Sequence, residues 1–371
     1  MENLNFDESW AVLRRLLPDN LDQVARQTGL VKRLRGFESA ENLTRLLLMH
    51  GSGLSLEQTA LRAAEHGLAR ISAVALHGRL KGAADFFQYL CGQLQVQMRT
   101  RLGESRWPEG WKYRAIDATE VSEPGPTGST WRIHYSLRLP DLACDHFELT
   151  DTRQGETLRR WKIASDEVVL ADRAYSHRKA IGDLIESGAH FVVRLNSGLF
   201  PMEDSAGAAL DLPALVRPLE VGQAADWRVF FRHGEHRSPL RLCVLKKSPQ
   251  AAEISRRKAR RRAQRDSSMI RNETLLLADY VLVLTNLDDF AWLAAAVLDL
   301  YRCRWQVELA FKRLKSLLEL GHLPKRDPCT ARAWMHLKLL LALMIERLIY
   351  DAEFVSPWGY DLRADQPVAR V

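Results

Sequence analysis

The sequence predicts an α/β protein whose core is a mixed sheet, with a helical region before it and a β-rich insertion within it. Residues 1–105 carry apolar side chains at helical spacing. From about residue 110, short apolar strands alternate with helical patterns, as in a mixed α/β sheet. Residues 196–280 interrupt this order, which indicates an insertion. The predicted core therefore spans residues 106–350, and residues 351–371 form a tail that is expected to fray.

The helical region contains a predicted pair of helices at 55–81. Ser55 is placed to cap the first helix, with Gln58 three residues on, and Gly67 ends its apolar pattern. A second helix is predicted at about 72–81. Two helices joined by a glycine turn are typical of a DNA-binding helix-turn-helix, and equally of an ordinary helical hairpin, so both interpretations stay open.

The core begins with three strands in a meander. WRIHYSLRL alternates apolar and polar side chains like a half-buried strand, and VVLA is a continuous apolar run like a buried one. After the meander the pattern gives helix, strand, helix and strand. The predicted elements are strands 112–121, 131–139 and 145–151, helix 155–163, strand 166–175, helix 177–188 and strand 190–195.

The insertion contains two alternating strands and one strongly basic run, RRKARRRAQR. Beyond it, the pattern returns to strands and then to two helical stretches, the first of which is long. The predicted elements are strands 227–231 and 240–246, the basic run 256–265, strands within 274–287, one long helix at 293–320 and a last apolar helix at 330–350.

The charge of the chain is concentrated in that basic run. The 371 residues carry a formal net charge of +7, and the run alone contributes seven positive charges and no acidic residue. A cationic run of this kind indicates polyanion binding, because neutralising phosphates releases counterions; a solubilising tract is the alternative. The seven cations are Arg256, Arg257, Lys258, Arg260, Arg261, Arg262 and Arg265.

Composition excludes several other classes of protein. No cysteine lies within four residues of another, so the chain has no CxxC zinc ligand pair, and scattered thiols favour a reducing, cytoplasmic location. The N-terminus lacks the layout of a signal peptide, and the longest apolar run, residues 339–345, is too short to span a bilayer.

Three acidic residues occupy informative positions. Asp117 follows the strand YRAI, Asp172 follows VVLA, and Glu308 lies on the long predicted helix. Two strand-end carboxylates from one sheet, with a third on a covering helix, form an oxygen-only ligand set that suits Mg²⁺ or Mn²⁺. The alternative for each residue alone is ordinary: strand-end aspartates often cap a turn, and a helical glutamate often pairs with a cation.

The long helix places Glu308 on one face with an aromatic hydroxyl, a guanidinium and an ammonium group. At 100° per residue, Tyr301, Arg304, Glu308 and Lys315 fall within a stripe of about 60°. An Arg304–Glu308 ion pair explains part of this stripe. A metal ligand flanked by groups that hold phosphates explains all of it.

These residues resemble the signature of a known family. Y-x2-R-x3-E-x6-K is the signature of bacterial insertion-sequence DDE transposases of the IS-four type, and the chain has it in full. IDAT at 116–119 and DRAY at 172–175 resemble the motifs of the family's first and second aspartates. The long gap before Glu308 resembles the family's β-rich insertion, which often carries a basic helix. The resemblance runs in order through about residues 50–345.

The resemblance implies an RNase H-like catalytic core and a DNA transposase. Asp117, Asp172 and Glu308 would hold two Mg²⁺ ions, with Mn²⁺ as a substitute, and Tyr301, Arg304 and Lys315 would hold phosphates. The substrate would be double-stranded DNA, both terminal inverted repeats and target, bound by a homodimer in a synaptic complex in the bacterial cytoplasm at the nucleoid. The expected reaction is a nick at the element's end followed by attack of the freed 3′-OH.

Two other functions stay open: a catalytically inactive, transposase-derived DNA-binding protein, and a metal-dependent DNA nuclease without strand transfer. Some relatives also hold a flipped base on an aromatic side chain. Tyr280, Trp292 and Trp305 are the candidates here, with core packing as the alternative for each.

Overall fold

The computed structural model describes residues 6–33, 37, 39–102, 111–125, 129–139, 141–288, 291–321, 323–324 and 327–353. Within these ranges, thirteen α-helices and eight strands are assigned, and no helix is both long and apolar enough to cross a membrane. The helices are α1 Phe6–Arg14, α2 Leu21–Gln27, α3 Ala40–Gly51, α4 Leu56–Glu65, α5 Ala73–Lys81, α6 Ala84–Leu102, α7 Arg178–Glu186, α8 Leu212–Val216, α9 Pro249–Arg265, α10 Asn272–Leu277, α11 Ala294–Cys303, α12 Trp305–Ser316 and α13 Pro328–Glu353. The strands are β1 Lys112–Ser122, β2 Ser129–Leu139, β3 Cys144–Asp151, β4 Glu167–Ala171, β5 His190–Arg194, β6 Ala224–His233, β7 His236–Lys246 and β8 Tyr280–Thr285.

The predicted helix pair exists as α4 and α5. Ser55 and Gln58 form a reciprocal capping box, in which each side chain accepts from the other residue's backbone amide. The connection between the helices runs over residues 66–72, longer than the three- or four-residue turn of a helix-turn-helix. Helix α5 also packs against α13. The helix-turn-helix assignment stays a prediction, and the long connection favours the helical hairpin.

The sheet has the order β3-β2-β1-β4-β5-β8-β7-β6. The first three strands form the predicted antiparallel meander. Strand β4 lies between β1 and β5 and pairs in parallel with each. In the register between β1 and β4, Ile116 lies opposite Ala171. The next residues are Asp117 and Asp172, so the register places both aspartates side by side where the β1–β4 pairing ends. Asp172 follows β4 as predicted, whereas Asp117 lies within β1, because β1 continues to Ser122 in its pairing with β2.

The inserted segment extends the core sheet. Strand β8 pairs antiparallel with β5, β7 pairs with β8, and β6 forms the far edge. Buried apolar side chains cover both faces: one layer includes the N-terminal helices and α11 to α13, and the other includes α7 and α8. The strands of the insertion therefore belong to the same sheet as the strands of the predicted core.

Three predicted elements are wrong in their details. The helix predicted at 155–163 is reduced to a 3-10 turn at Leu158–Arg160, because Leu158 and Trp161 are both buried and Trp161 takes an extended backbone. The segment 274–287 starts in helix α10 and only then enters β8. The long helix at 293–320 divides into α11 and α12 at Arg304.

The division at Arg304 has a local cause. The amide of Arg304 donates to the Tyr301 carbonyl at 3.1 Å, and the Val307 amide donates to the Arg304 carbonyl at 3.2 Å. Both bonds span three residues, as in a 3-10 helix, so the turn tightens here. A tighter turn rotates the following side chains relative to a uniform α-helix, which changes the predicted stripe.

Helix α13 supplies a test of stability against pH. The Glu346 carboxylate accepts from the Tyr135 hydroxyl and the Cys144 amide, both at 3.4 Å, and burial raises its pKa to about 7. Because the folded pKa exceeds the unfolded value, ionisation of Glu346 destabilises the folded state as pH rises from about 4.5 to 7. Glu346→Gln should therefore be more stable than wild type above pH 7 by about 1–3 kcal/mol and equal to it near pH 4.5.

Urea unfolding across this pH range measures the difference. Glu65→Gln, at an exposed position of α4, is the matched control and should show no such trend. A constant offset between Glu346→Gln and wild type at all pH values would contradict the prediction.

Candidate active site at the edge of the parallel strands

Asp117 and Asp172 each use one carboxylate oxygen to hold the local backbone. Asp117 Oδ1 accepts from the Ala118 amide at 2.8 Å, and Asp172 Oδ1 accepts from the Ala174 amide at 2.8 Å, capping a short 3-10 turn. The capping role expected of strand-end aspartates is therefore present for Asp172. Each bond holds its carboxylate in orientation and leaves a second oxygen on each aspartate for another partner.

Glu156, which the sequence did not single out, completes a group of three acids. One carboxylate oxygen from each of Asp117, Glu156 and Asp172 lies within 4.8 Å of the others. Burial, and then the charge of Asp172, raises the pKa of Asp117 to about 7, and the same two causes raise the pKa of Glu156. Three desolvated carboxylates that repel one another, with oxygen donors only, fit a hard divalent cation.

Sequence reasoning missed Glu156 because it lies in the loop after β3, inside the stretch predicted to be a helix. Strand β3 is separated from β1 by β2, so only the three-dimensional path of the loop brings Glu156 to Asp117. No spacing or periodicity in the sequence carries this information.

Glu308 lies outside this three-acid group. Arg304 Nη2 donates to Glu308 Oε1 at 2.5 Å, while Arg304 Nη1 lies 3.4 Å from Asp117 Oδ2. The guanidinium thus bridges the two acids, with the Glu308 side chain 50% exposed and that of Arg304 14% exposed. The predicted convergence of three acids is seen for Asp117 and Asp172 only, because the arginine occupies the space between Glu308 and the sheet.

The other members of the predicted stripe lie at different depths. Tyr301 is buried, and the Arg304 guanidinium lies 5.7 Å from the centre of its ring. Lys315 is exposed on the last turn of α12, where partial desolvation lowers its pKa and the charge of Glu120 opposes that shift. The stripe is therefore a path from the sheet edge outward, with Arg304 nearest the aspartates.

Cations gather beside the acids. Desolvation, and then the charges of Arg194 and Arg262, lowers the pKa of Arg173, the residue after Asp172. Desolvation, followed by the charges of Arg194 and Arg173, lowers the pKa of Lys247 to about 8. The charges of these four cations act on one another, and we call the group formed by Arg173, Arg194, Lys247 and Arg262 the cationic rim.

Helix α9 carries the whole basic run. Arg256 is half-buried and pairs with Asp279 at 2.6 Å and with Glu253 at 3.0 Å. Lys258 and Arg261 are exposed and make no ion pair within the described residues. The other four cations are exposed and lie 3.1–4.0 Å from an acidic oxygen of Glu253 or Asp266: Arg257, Arg260, Arg262 and Arg265. The run therefore combines one structural arginine with a solvent-facing cationic surface.

The three candidate aromatic side chains differ in how much of each is exposed to solvent. Tyr280 and Trp292 are buried in the core, which confirms the packing alternative for both. Trp305, at the start of α12, is 55% exposed. Among these candidates, Trp305 alone offers an open ring face to a base.

Comparison with known proteins supports the same assignment. The family model "Transposase DDE domain" matches residues 149–345. The transposase for insertion sequence element IS421 of Escherichia coli is 34% identical over 356 residues, covering 94% of this chain and 95% of that protein. InsL of Escherichia coli K12, named as a transposase for insertion sequence element IS186A, is 34% identical over 355 residues with the same coverage. Among solved structures, the piggyBac transposase synaptic complex with hairpin DNA gives a TM-score of 0.49 at 10% identity, covering 92% of this chain and 75% of that chain.

The family match spans more than half of the chain and includes Asp172, Glu308 and the whole Tyr-Arg-Glu-Lys signature. Family membership implies an enzyme that uses divalent metal ions and acts on DNA. The chain belongs to the DDE transposase family, among the insertion-sequence transposases of the IS-four type.

Proposed function

We propose that this transposase binds the terminal inverted repeats of its own element and catalyses Mg²⁺-dependent cleavage and strand transfer there. The observation that carries the proposal is the register of β1 and β4, which sets Asp117 beside Asp172. Asp117, Asp172 and Glu308 hold two Mg²⁺ ions, for which Mn²⁺ substitutes. Bound ions of this kind activate the attacking oxygen and stabilise the leaving oxygen of a phosphodiester.

The protein's own cations position the DNA. Tyr301, Arg304 and Lys315 contact phosphates next to the cut, and the cationic rim leads the backbone from there to α9. Phosphoryl transfer depends mainly on positioning and charge stabilisation, so cations at the acid edge suit this reaction. Trp305 stacks on an unpaired base at the element's end. A homodimer brings two ends together in a synaptic complex in the cytoplasm, at the nucleoid.

The test is a cleavage and joining assay on DNA that carries the terminal repeats, with Mg²⁺ present or replaced by EDTA. Strand transfer predicts a joined product when target DNA is supplied. Cleavage without joining would instead indicate a metal-dependent nuclease, and binding without cleavage would indicate an inactive DNA-binding descendant.

The basic helix gives a separate prediction. Lys258→Ala combined with Arg261→Ala removes two exposed cations that have no ion-pair partner within the described residues. The slope of log affinity against log salt should become shallower by about 2, because each cation that neutralises a phosphate contributes about one counterion. Fluorescence anisotropy with labelled repeat DNA, at several salt concentrations, measures this slope.

Arg256→Ala is the matched control on the same helix. Arg256 holds Asp279, so its loss should lower the melting temperature and leave the salt slope unchanged. Equal slopes for the double variant and wild type would show that the exposed face of α9 does not bind DNA.

A further inference from the structure

The carboxylate of Glu156 is only partly compensated by the groups around it. Its side chain is half-buried, and it makes no hydrogen bond within the described residues. Its nearest basic atom is Nε of Arg132, at 4.0 Å. Partly burying a carboxylate is costly unless a cation or hydrogen-bond donors compensate.

Arg132 supplies only part of that compensation, because its terminal nitrogens are used elsewhere. Arg132 Nη2 donates to Glu120 at 2.8 Å, and Nη1 donates to the Gln154 carbonyl at 2.8 Å. Its Nε is buried and has no hydrogen-bond partner among the described residues. Arg132 therefore braces the loop that carries Glu156 and leaves the carboxylate facing Asp117 and Asp172.

A buried hydroxyl beside the acids gives an independent observation. Tyr175 is fully buried, and its hydroxyl has no hydrogen-bond partner in the part of the chain that the structure describes. Tyr175 ends the 3-10 turn that Asp172 caps, and it lies in the same buried cluster as Ile116, the residue before Asp117. Burial raises the pKa of Tyr175, and the charges of Asp117, Glu156 and Asp172 raise it further. An unpartnered buried hydroxyl is costly, and a water bound to a metal ion is a partner that removes this cost.

We propose that Glu156 is a third carboxylate ligand of the divalent ion held by Asp117 and Asp172, with the Tyr175 hydroxyl contacting a water of that ion. This inference rests on the proposed function and adds one ligand to the same metal site. The site then has four acids: Glu156 on the β3 side of the aspartates, and Glu308 on the helix side beyond Arg304.

The experiment is a Mn²⁺ titration of the full chain, without DNA, by isothermal calorimetry and by the electron paramagnetic resonance signal of free Mn²⁺. Glu156→Gln should weaken Mn²⁺ binding by about tenfold or more, and should also reduce the rise in melting temperature that Mn²⁺ causes in wild type. Without metal, Glu156→Gln should melt at the wild-type temperature or above, because a charge that repels Asp172 has been removed.

Glu120→Gln is the matched control, because Glu120 pairs with the same arginine at the shorter distance of 2.8 Å and lies outside the three-acid group. If Glu156 only braced Arg132, Glu120→Gln would have the larger effect on melting and neither variant would change Mn²⁺ affinity. Wild-type Mn²⁺ affinity in Glu156→Gln overturns the inference.

Glu156→Asp covers the case in which the glutamine variant does not fold. It keeps the charge and shortens the reach, so Mn²⁺ binding should again weaken by about tenfold, and unchanged affinity would count against ligation. Asp117→Asn separates the two levels of the proposal. If it abolishes Mn²⁺ binding while both Glu156 variants bind like wild type, the inference fails and the proposed function stands. If Asp117→Asn binds Mn²⁺ like wild type, the proposed metal site itself is wrong.

Discussion

Asp172→Asn should lower Mg²⁺-dependent cleavage of terminal-repeat DNA by about 10³-fold or more, because it removes one carboxylate from the group of three acids beside β1 and β4. The amide oxygen of asparagine can still accept from the Ala174 amide, so the cap of the 3-10 turn persists and the fold should be retained. Asp117→Asn should behave in the same way. Single-turnover cleavage on labelled repeat DNA measures the loss.

Asp183→Asn provides the control for this substitution. Asp183 lies on α7, pairs with Arg159 at 2.7 Å and is far more exposed than Asp117, so its neutralisation should leave cleavage unchanged. DNA affinity in EDTA should not weaken in Asp172→Asn, because a negative charge near phosphates has been removed. Cleavage by Asp172→Asn at the wild-type rate would refute the assignment of the metal site.

Glu308→Gln tests the acid that lies apart from the others. We expect a loss of the same order, because Glu308 is proposed to become a ligand once Arg304 engages phosphate. Wild-type cleavage by Glu308→Gln, together with loss in Asp172→Asn, would exclude Glu308 from the metal site.

Arg304→Gln should reduce cleavage by about 10²-fold without weakening Mn²⁺ binding. Its guanidinium lies between Asp117 and Glu308 and competes with a metal ion for both carboxylates. Removing it frees the acids for the metal, and Mn²⁺ affinity should stay equal or increase. Cleavage nevertheless falls, because a preorganised cation that stabilises charge on the phosphate has been lost, an effect of about 10²–10³-fold for one donor.

Two further substitutions serve as controls for Arg304→Gln. Arg302→Gln, two residues earlier, removes a cation that is 81% exposed and pairs with Asp299, so neither cleavage nor Mn²⁺ binding should change. Arg304→Lys keeps the charge but cannot span two carboxylates, and should recover part of the cleavage. A parallel fall in cleavage, Mn²⁺ affinity and melting temperature in Arg304→Gln would mean that the arginine only holds the fold together.

The sequence was sufficient where local pattern determines position. The meander, the strands β4 and β5 and the helix α7 between them follow from periodicity, and Asp117 and Asp172 meet because each follows a residue of the last β1–β4 pair. The helical projection also placed Arg304 near Glu308, and the ion pair between them is present.

The remainder depended on contacts between distant parts of the chain. Glu156 reaches the aspartates through a loop whose path no periodicity encodes. The turn at Arg304 tightens so that its guanidinium reaches Asp117 across 187 positions of sequence. Likewise, the pairing of β8 with β5 joins the insertion to the core sheet, and strand pairing between distant segments cannot be read from either strand alone.

The position of α9, between β7 and β8 in the chain, affects how the distance from the bound DNA phosphates to the cleavage point would be set. Both strands belong to the sheet that carries the aspartates, and the helix is fastened at its base: Lys247 Nζ donates to Ser255 Oγ at 2.9 Å and to the Ala278 carbonyl at 2.6 Å, while Arg256 pairs with Asp279. DNA bound by α9 would therefore be held at a fixed distance from the aspartates, because the helix is fastened to the sheet that carries them. If α9 binds phosphates as proposed, the number of base pairs between those phosphates and the cut would be set by the spacing of the strands, and the element's end would be located by length as well as by sequence.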